Sequence, residues 1–248
     1  VAPRIPTGRT VEAYGRAYFL DEVWDYHRGD HVTIIVPYGG GKTRLGLELL
    51  ERSMTPKLPA LLFVMKSEDI EVSRFAARNK LPIVRDWPPP PRSRLTTAFG
   101  KKPSGYVLWP VETDNPDADD IRHARIFRYA LRRQYRVGSN ITVTDETYSL
   151  EEEYKLTRDI NRILTKGRSK GAGNWNFTQR AAYITKWAYQ AQHLFLGFDP
   201  SPEAQQRLAD IGGGIDVDLV REILPTLGKF EFLYLNRDER TMCRILAQ

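Results

Sequence analysis

Cysteine is all but absent: the 248 residues contain one, Cys243. No intramolecular disulfide can form, and no Cys/His pair stands at zinc-ligand spacing, so neither a disulfide scaffold nor a zinc fold is expected. Cys243 reads as a strand residue. Also missing are a run of about 18 apolar residues, which a membrane-spanning helix needs, and a charged-then-apolar leader at Val1. The expectation is a soluble, cytoplasmic chain with no membrane partner. Internal repeats of roughly 20 to 50 residues are lacking as well, and low complexity is confined to Trp87-Pro88-Pro89-Pro90-Pro91.

Charge is plentiful. The 37 Lys+Arg against 31 Asp+Glu give a formal charge of +6, which is compatible with a polyanionic partner without identifying one. The length allows one compact domain with a sizeable core. A single domain over 1–248 is expected, with an N-terminal extension at 1–30, a core at 31–235 and a C-terminal β-hairpin at 230–248.

Apolar, β-rich runs alternate with helical patterns. Residues 31–36 (HVTIIV) read as a buried strand and 45–52 as a helix. Further strands are expected at 61–65, 83–85, 106–109, 141–144, 176–178 and 193–197, and helices over 69–79, 117–136 and 150–165. Residues 231–235 and 241–246, joined through Asn236-Arg237-Asp238-Glu239, read as a terminal hairpin. The segment 89–105 reads as an exposed loop. Strands separated by helices imply an α/β class with a mainly parallel central sheet flanked by helices.

Between the first strand and its helix stands Pro37-Tyr38-Gly39-Gly40-Gly41-Lys42-Thr43-Arg44. In strand-loop-helix phosphate sites, backbone N–H groups at the helix start cradle a phosphate, a lysine reaches the β/γ oxygens, and a Ser/Thr hydroxyl holds Mg²⁺. Residues 37 to 44 are therefore the expected ATP-binding loop, with Thr43 on Mg²⁺. The usual pattern has glycine where Val36 stands, and Gly39 and Gly40 are expected to supply the freedom that the valine removes. A glycine-rich turn without a ligand is the plainer alternative, but such a turn has no need of Lys-Thr after its last glycine.

A phosphate loop calls for an acidic partner at the end of a neighbouring strand, and Ile141-Thr142-Val143-Thr144 leads into Asp145-Glu146. Successive residues leaving a strand point in different directions, so Asp145 can serve the metal and Glu146 the attacking water. The alternative is a cap on the helix near Leu150. Gln179, at the end of the strand at 176–178, is placed to sense the γ-phosphate. Within Lys166-Gly167-Arg168-Ser169-Lys170-Gly171, Arg168 is the candidate arginine finger, a device worth about 10³-fold or more in rate. A solvated basic turn would read the same.

The phosphate loop, Asp145-Glu146, Gly167-Arg168-Ser169 and Thr178-Gln179-Arg180, in that order over residues 31–235, resemble the FtsK/HerA superfamily of RecA-like P-loop ATPases, which includes DNA-packaging ATPases of some viruses. The resemblance implies a RecA-like core and a ring of roughly five or six subunits. It further implies ATP bound between neighbours, Arg168 acting on a neighbour's site, and catalysis by Lys42, Glu146, Gln179 and Arg168 that moves or packages double-stranded DNA. The implied partners are duplex DNA, further copies of this chain, and a portal or other assembly protein, in the host cytoplasm for a phage-encoded chain.

A translocase grips phosphates rather than reading bases. Arg92, Arg94, Lys101 and Lys102 in the 89–105 loop are the expected DNA contacts, a lid over the nucleotide being the alternative. Arg122, Arg125, Arg128, Arg132, Arg133 and Arg136 form a helical stripe that reads as a solvated face paired with acids. Two other functions fit the same phosphate loop: an ATP-dependent switch or assembly factor with little turnover, and a small-molecule kinase. The kinase leaves Thr-Gln-Arg after Gly-Arg-Ser unexplained.

Overall fold

The computed structural model describes residues 11–89, 102–179, 185–212 and 215–248. Its strands are β1 (Ala13–Gly15), β2 (Val32–Ile35), β3 (Ala60–Phe63), β4 (Ile83–Val84), β5 (Gly105–Leu108), β6 (Asn140–Thr144), β7 (Ala172–Thr178), β8 (His193–Gly197), β9 (Phe232–Asn236) and β10 (Thr241–Leu246). They form one sheet in the order β1-β10-β9-β8-β2-β7-β6-β3-β5-β4. From β8 to β4 every neighbouring pair is parallel, whereas β9 is antiparallel to both β8 and β10. The helices are α1 (Arg16–Tyr18), α2 (Lys42–Ser53), α3 (Ile70–Arg78), α4 (Pro116–Val137), α5 (Thr157–Lys166), α6 (Pro202–Gly212) and α7 (Val217–Ile223). The α/β class expected from the sequence holds.

The central strands are buried on both faces, as parallel strands covered by helices must be. Along β3 the alternation is visible residue by residue. Ala60, Leu62 and Val64 join the core beneath α2 and α3 with Leu45, Leu49 and Phe75. Leu61 and Phe63 join the opposite core with Phe127 and Leu131 of α4 and Ile160 and Ile163 of α5. A third cluster packs Leu194, Leu196, Leu233 and Leu235 against α6 and α7.

Local signals place the helix starts. The Asp69 carboxylate accepts from Val72 N–H at 2.9 Å and begins α3, and Asn115 with Pro116 begins α4. α2 is pressed onto β7 at Gly46, where a Cβ would come within 2.1 Å of the Phe177 ring.

Three departures from the sequence expectations have physical reasons. The helix expected over 150–165 is split into a π-helical turn, Ser149–Glu153, and α5, with Lys155 between them at a φ of 52° that no helix accommodates. β7 begins at Ala172 rather than 176, because the two asparagines of the run Asn174-Trp175-Asn176 find internal donors and acceptors. Asn174 N–H donates to His31 Nδ1 at 3.0 Å and its side chain donates to Asn176 Oδ1 at 2.6 Å. Finally, β1 lies in the segment expected to be an extension, yet it pairs with β10 and closes that edge. No helix among the described residues is long and apolar enough to cross a membrane.

Candidate nucleotide-binding site

Four parallel strands end at one edge of the sheet and deliver the site: β2 into the glycine loop, β3 into Lys66, β6 into Asp145 and Glu146, and β7 into Gln179. Because β7 lies between β2 and β6, the loop and the acids approach from either side of Thr178. Carboxyl ends of parallel strands are where open α/β sheets bind ligands.

The loop is built for close approach. Gly40 N–H donates to the Pro37 carbonyl at 3.1 Å, and Gly41 caps α2 with a φ of 88°, a conformation glycine adopts without steric cost. Tyr38 at the tip is 92% exposed, and Arg44 turns along α2 to pair with Glu48 at 3.0 Å. No acid stands in the first turn of α2, so its unpaired N–H groups and positive dipole end are left for an anion.

Gly39 supplies the expected loop freedom with a φ of 75°, and Val36 keeps its place by packing as well. Its N–H donates to Thr178 O at 3.2 Å, and its side chain is buried against two glycines. A Cβ on either Gly40 or Gly197 would come 2.3 Å from Val36 Cγ2. The volume added at position 36 is offset by side chains missing at 40 and 197.

The chemistry converges on the acids. Thr43 Oγ1 donates to Asp145 Oδ1 at 2.8 Å, although the two residues stand 102 apart in sequence. Lys66 Nζ donates to Asp145 Oδ2 at 2.9 Å. Lys42 Nζ lies 3.6 Å from Glu146 Oε2 and 4.0 Å from Asp145 Oδ1. Gln179 Nε2 donates to Glu146 Oε2 at 3.0 Å. The adjacent carboxylates therefore diverge, Asp145 toward Thr43 and Lys66, Glu146 toward Lys42 and Gln179. Beneath them, Thr144 Oγ1 donates to the Trp175 carbonyl at 3.0 Å and meets Thr147 Oγ1 at 2.8 Å, so this polar strand residue steadies the turn that carries the acids.

Beside this constellation opens a cleft of about 580 Å³, lined among others by Lys66, Asp145, Glu146, Tyr148, Thr178 and Gln179. Lys66 titrates above an ordinary lysine: burial disfavours its charge, but the charge and hydrogen bond of Asp145, with Asp69 at 3.5 Å, outweigh that. In the π-helical turn flanking the cleft, burial pushes Glu151 up to about 7 against the hydrogen bond it accepts from Thr185 N–H.

A hydroxyl and a carboxylate in contact, Thr43 and Asp145, are the hard oxygen donors that Mg²⁺ takes. Among the described residues no group of three or more His, Cys, Asp or Glu could hold a metal by itself.

Lys42, Thr43, Asp145, Glu146 and Gln179 are thus brought together as the sequence suggested. Arg168 is not with them. It precedes β7 and so lies at the opposite edge of the sheet, 3.4 Å from Asp30 and paired with Asp238. Lys102 is exposed near the entry to β5, also away from the site, and Arg92, Arg94 and Lys101 lie outside the described residues. In the arginine stripe of α4, Arg122 pairs with Asp119 at 2.8 Å and Arg132 with Asp159 at 3.0 Å, as a solvated face would. Lys66 belongs to none of the sequence motifs, although a cation directly after an apolar strand is a signal for such a site.

No family model matches the sequence, and a search of curated proteins found no match. Solved structures do resemble it. The genome-packaging NTPase B204 of Sulfolobus turreted icosahedral virus 2, in complex with sulfate, superposes with a TM-score of 0.58 at 16% identity, over 90% of this chain and 98% of that one. Its complex with AMPPCP gives 0.57 at 17%, over 90% and 100%. B204, the DNA-packaging ATPase from Sulfolobus turreted icosahedral virus, gives 0.58 at 18%, over 90% and 100%. The chain shares their fold. The RecA-like architecture expected from the sequence is borne out by this likeness and by the parallel core of the sheet.

Proposed function

We propose that this chain binds and hydrolyses ATP and that turnover drives double-stranded DNA through a ring of its own copies, as in genome packaging. The observation that carries the reading is the mutual contact of Lys42, Thr43, Asp145, Glu146 and Gln179 at the carboxyl edge of parallel strands. The start of α2 and Lys42 hold the β- and γ-phosphates, and the several charges of a triphosphate draw Lys42 from Glu146 and Asp145. Thr43 and Asp145 hold Mg²⁺, which neutralises phosphate charge when bound. Glu146 orients the attacking water and accepts its proton, and Gln179 fixes the Glu146 carboxylate and contacts the terminal phosphate.

Support for DNA as cargo comes from the description of B204 as a DNA-packaging ATPase, from the net charge of +6, and from the cations Arg92, Arg94, Lys101 and Lys102. The ring of roughly five or six subunits and a portal or other assembly partner belong to the same reading. Arg168, at the far edge, fits this mechanism only as a residue offered to a neighbouring subunit.

The test is ATP hydrolysis with and without linear duplex DNA at low and moderate salt, with molar mass measured by light scattering. A motor gives stimulation by duplex that weakens as salt screens the phosphate contacts, and a mass several times that of the chain. Nucleotide binding without turnover or stimulation would establish the switch or assembly factor instead.

A further inference from the structure

Lys66 is a second cation at the acids, and it is mounted differently from Lys42. Its backbone is fixed: the Lys66 carbonyl accepts from the indole of buried Trp109 at 2.7 Å, and Trp109 is itself held by Arg85, which donates to its carbonyl at 3.0 Å and lies over its ring. The side chain is not fixed in the same way. It is about half exposed in the cleft and shared between Asp145 Oδ2 at 2.9 Å and Asp69 Oδ2 at 3.5 Å. An ammonium has three donors on a flexible stem, and two have partners among the described residues. Asp145 is the carboxylate that Thr43 also engages, so whatever takes Asp145 into a metal site weakens its hold on Lys66.

Phosphoryl transfer needs positive charge on the transferring group, and Arg168 stands at the wrong edge of its own chain to give it. We propose that Lys66 exchanges Asp145 for the terminal phosphate of a bound nucleoside triphosphate and supplies that charge within the same subunit. The lysine keeps its proton throughout; it stabilises charge and transfers nothing. The proposal rests on the ATPase reading above and adds to it a residue and a phosphate-dependent change of partner.

Lys66→Ala and Lys66→Arg would be compared with wild type in three measurements: titration with fluorescent ADP and with a non-hydrolysable triphosphate analogue, steady-state ATP hydrolysis, and thermal melting. In Lys66→Ala, ADP affinity should stay within about threefold while affinity for the analogue falls about tenfold, the scale of a lost charge-assisted hydrogen bond. The kcat should fall about 10²-fold, as for loss of one group that stabilises transition-state charge. Lys66→Arg should recover at least about a tenth of wild-type kcat, because it restores the charge without the geometry. Turnover of Lys66→Ala close to wild type would overturn the role of Lys66 and leave the ATPase reading standing. Parallel loss of ADP affinity, turnover and melting temperature, without rescue by arginine, would overturn it in favour of a structural role. A wild-type chain that neither binds nor hydrolyses ATP would remove both readings.

Discussion

Two clusters of paired charge sit at opposite edges of the sheet, and they behave differently. At the amino edge, buried His193 bridges Tyr234 at 2.8 Å and Asp30 at 3.3 Å, while Arg168 joins Asp30 to Asp238. Beside it, burial holds His31 down to about 4, so it stays neutral and accepts from the Asn174 amide. At the carboxyl edge, Lys42, Lys66, Asp145, Glu146 and Gln179 are equally well paired, but their partners are each other and they border an open cleft. A charge network that ties strand ends to one another, as Asp30 and His193 do, orders strands. One that faces a cleft, beside a helix start with no acid in its first turn, can trade its partners for a ligand. Charge density alone does not tell the two apart; access and replaceable partners do.

The sharpest way to break this distinction is to neutralise one acid at each edge. Glu146→Gln should lower ATP turnover by about 10²- to 10⁴-fold, the usual contribution of a general base, with melting nearly unchanged. Asp30→Asn should do the reverse, costing about 1–3 kcal/mol of stability through an impaired buried hydrogen-bond network with turnover within about twofold. If Asp30→Asn abolished turnover in a folded protein, the two edges would not be separable.

A buried acid in the turn that flanks the cleft sharpens the comparison through pH. Burial lifts Glu151 from an ordinary value of 4.5 to about 7, so the folded state holds its proton more tightly than the unfolded chain. The stabilisation is fully present below the unfolded pKa and is lost as pH rises through about 7. Its size is on the order of 3 kcal/mol at about 1.4 kcal/mol per unit. Glu151→Gln should flatten the difference in melting temperature between pH 5 and pH 8. His31 has the opposite sign but is common to both proteins, so their difference isolates Glu151.

Next in size is the packing of the loop. Gly197→Ala forces a Cβ against Val36 and should cost about 1–3 kcal/mol, as overpacking does. With Val36→Gly added, the combined loss should be smaller than the sum of the two single losses, because the residues are in contact. Additive losses would show that the glycines do not house the valine. The smallest effect is expected at Arg168. Arg168→Ala removes a half-exposed ion pair and should cost less than about 1 kcal/mol, with turnover within about threefold if Lys66 supplies the cation. A collapse of turnover that returns on mixing with a subunit defective only in Glu146 would identify Arg168 as a finger acting between subunits.

The residues legible in the sequence are those where a local signal coincides with a strand end. Gly41-Lys42-Thr43 follows an apolar strand and opens a helix, and Asp145-Glu146 follows a strand whose β-branched residues set its direction. How far Arg168 stands from Gln179 within one chain is not legible locally, because the apolar pattern marks only 176–178 as the sensor strand. The strand has seven, which carries Arg168 about 20 Å to the other edge. The polar run Asn174-Trp175-Asn176 hid that length, since its partners come from residues distant in sequence, such as His31. Lys66 directly follows an apolar run, but its partner Asp145 is 79 residues away and is brought to it by the pairing of β3 with β6, which no local pattern announces. The pairing of β1 with β10 joins the two ends of the fold through backbone hydrogen bonds, for which no local pattern exists.

The account stands or falls on whether the carboxyl edge takes a triphosphate. The most direct measurement is calorimetric titration of MgATP into wild type and Lys42→Ala. The account predicts binding to wild type that weakens about 10- to 100-fold in the variant, the loss of one charge-assisted contact, with both proteins equally folded. Equal affinity in the two, or no binding to wild type, would contradict it.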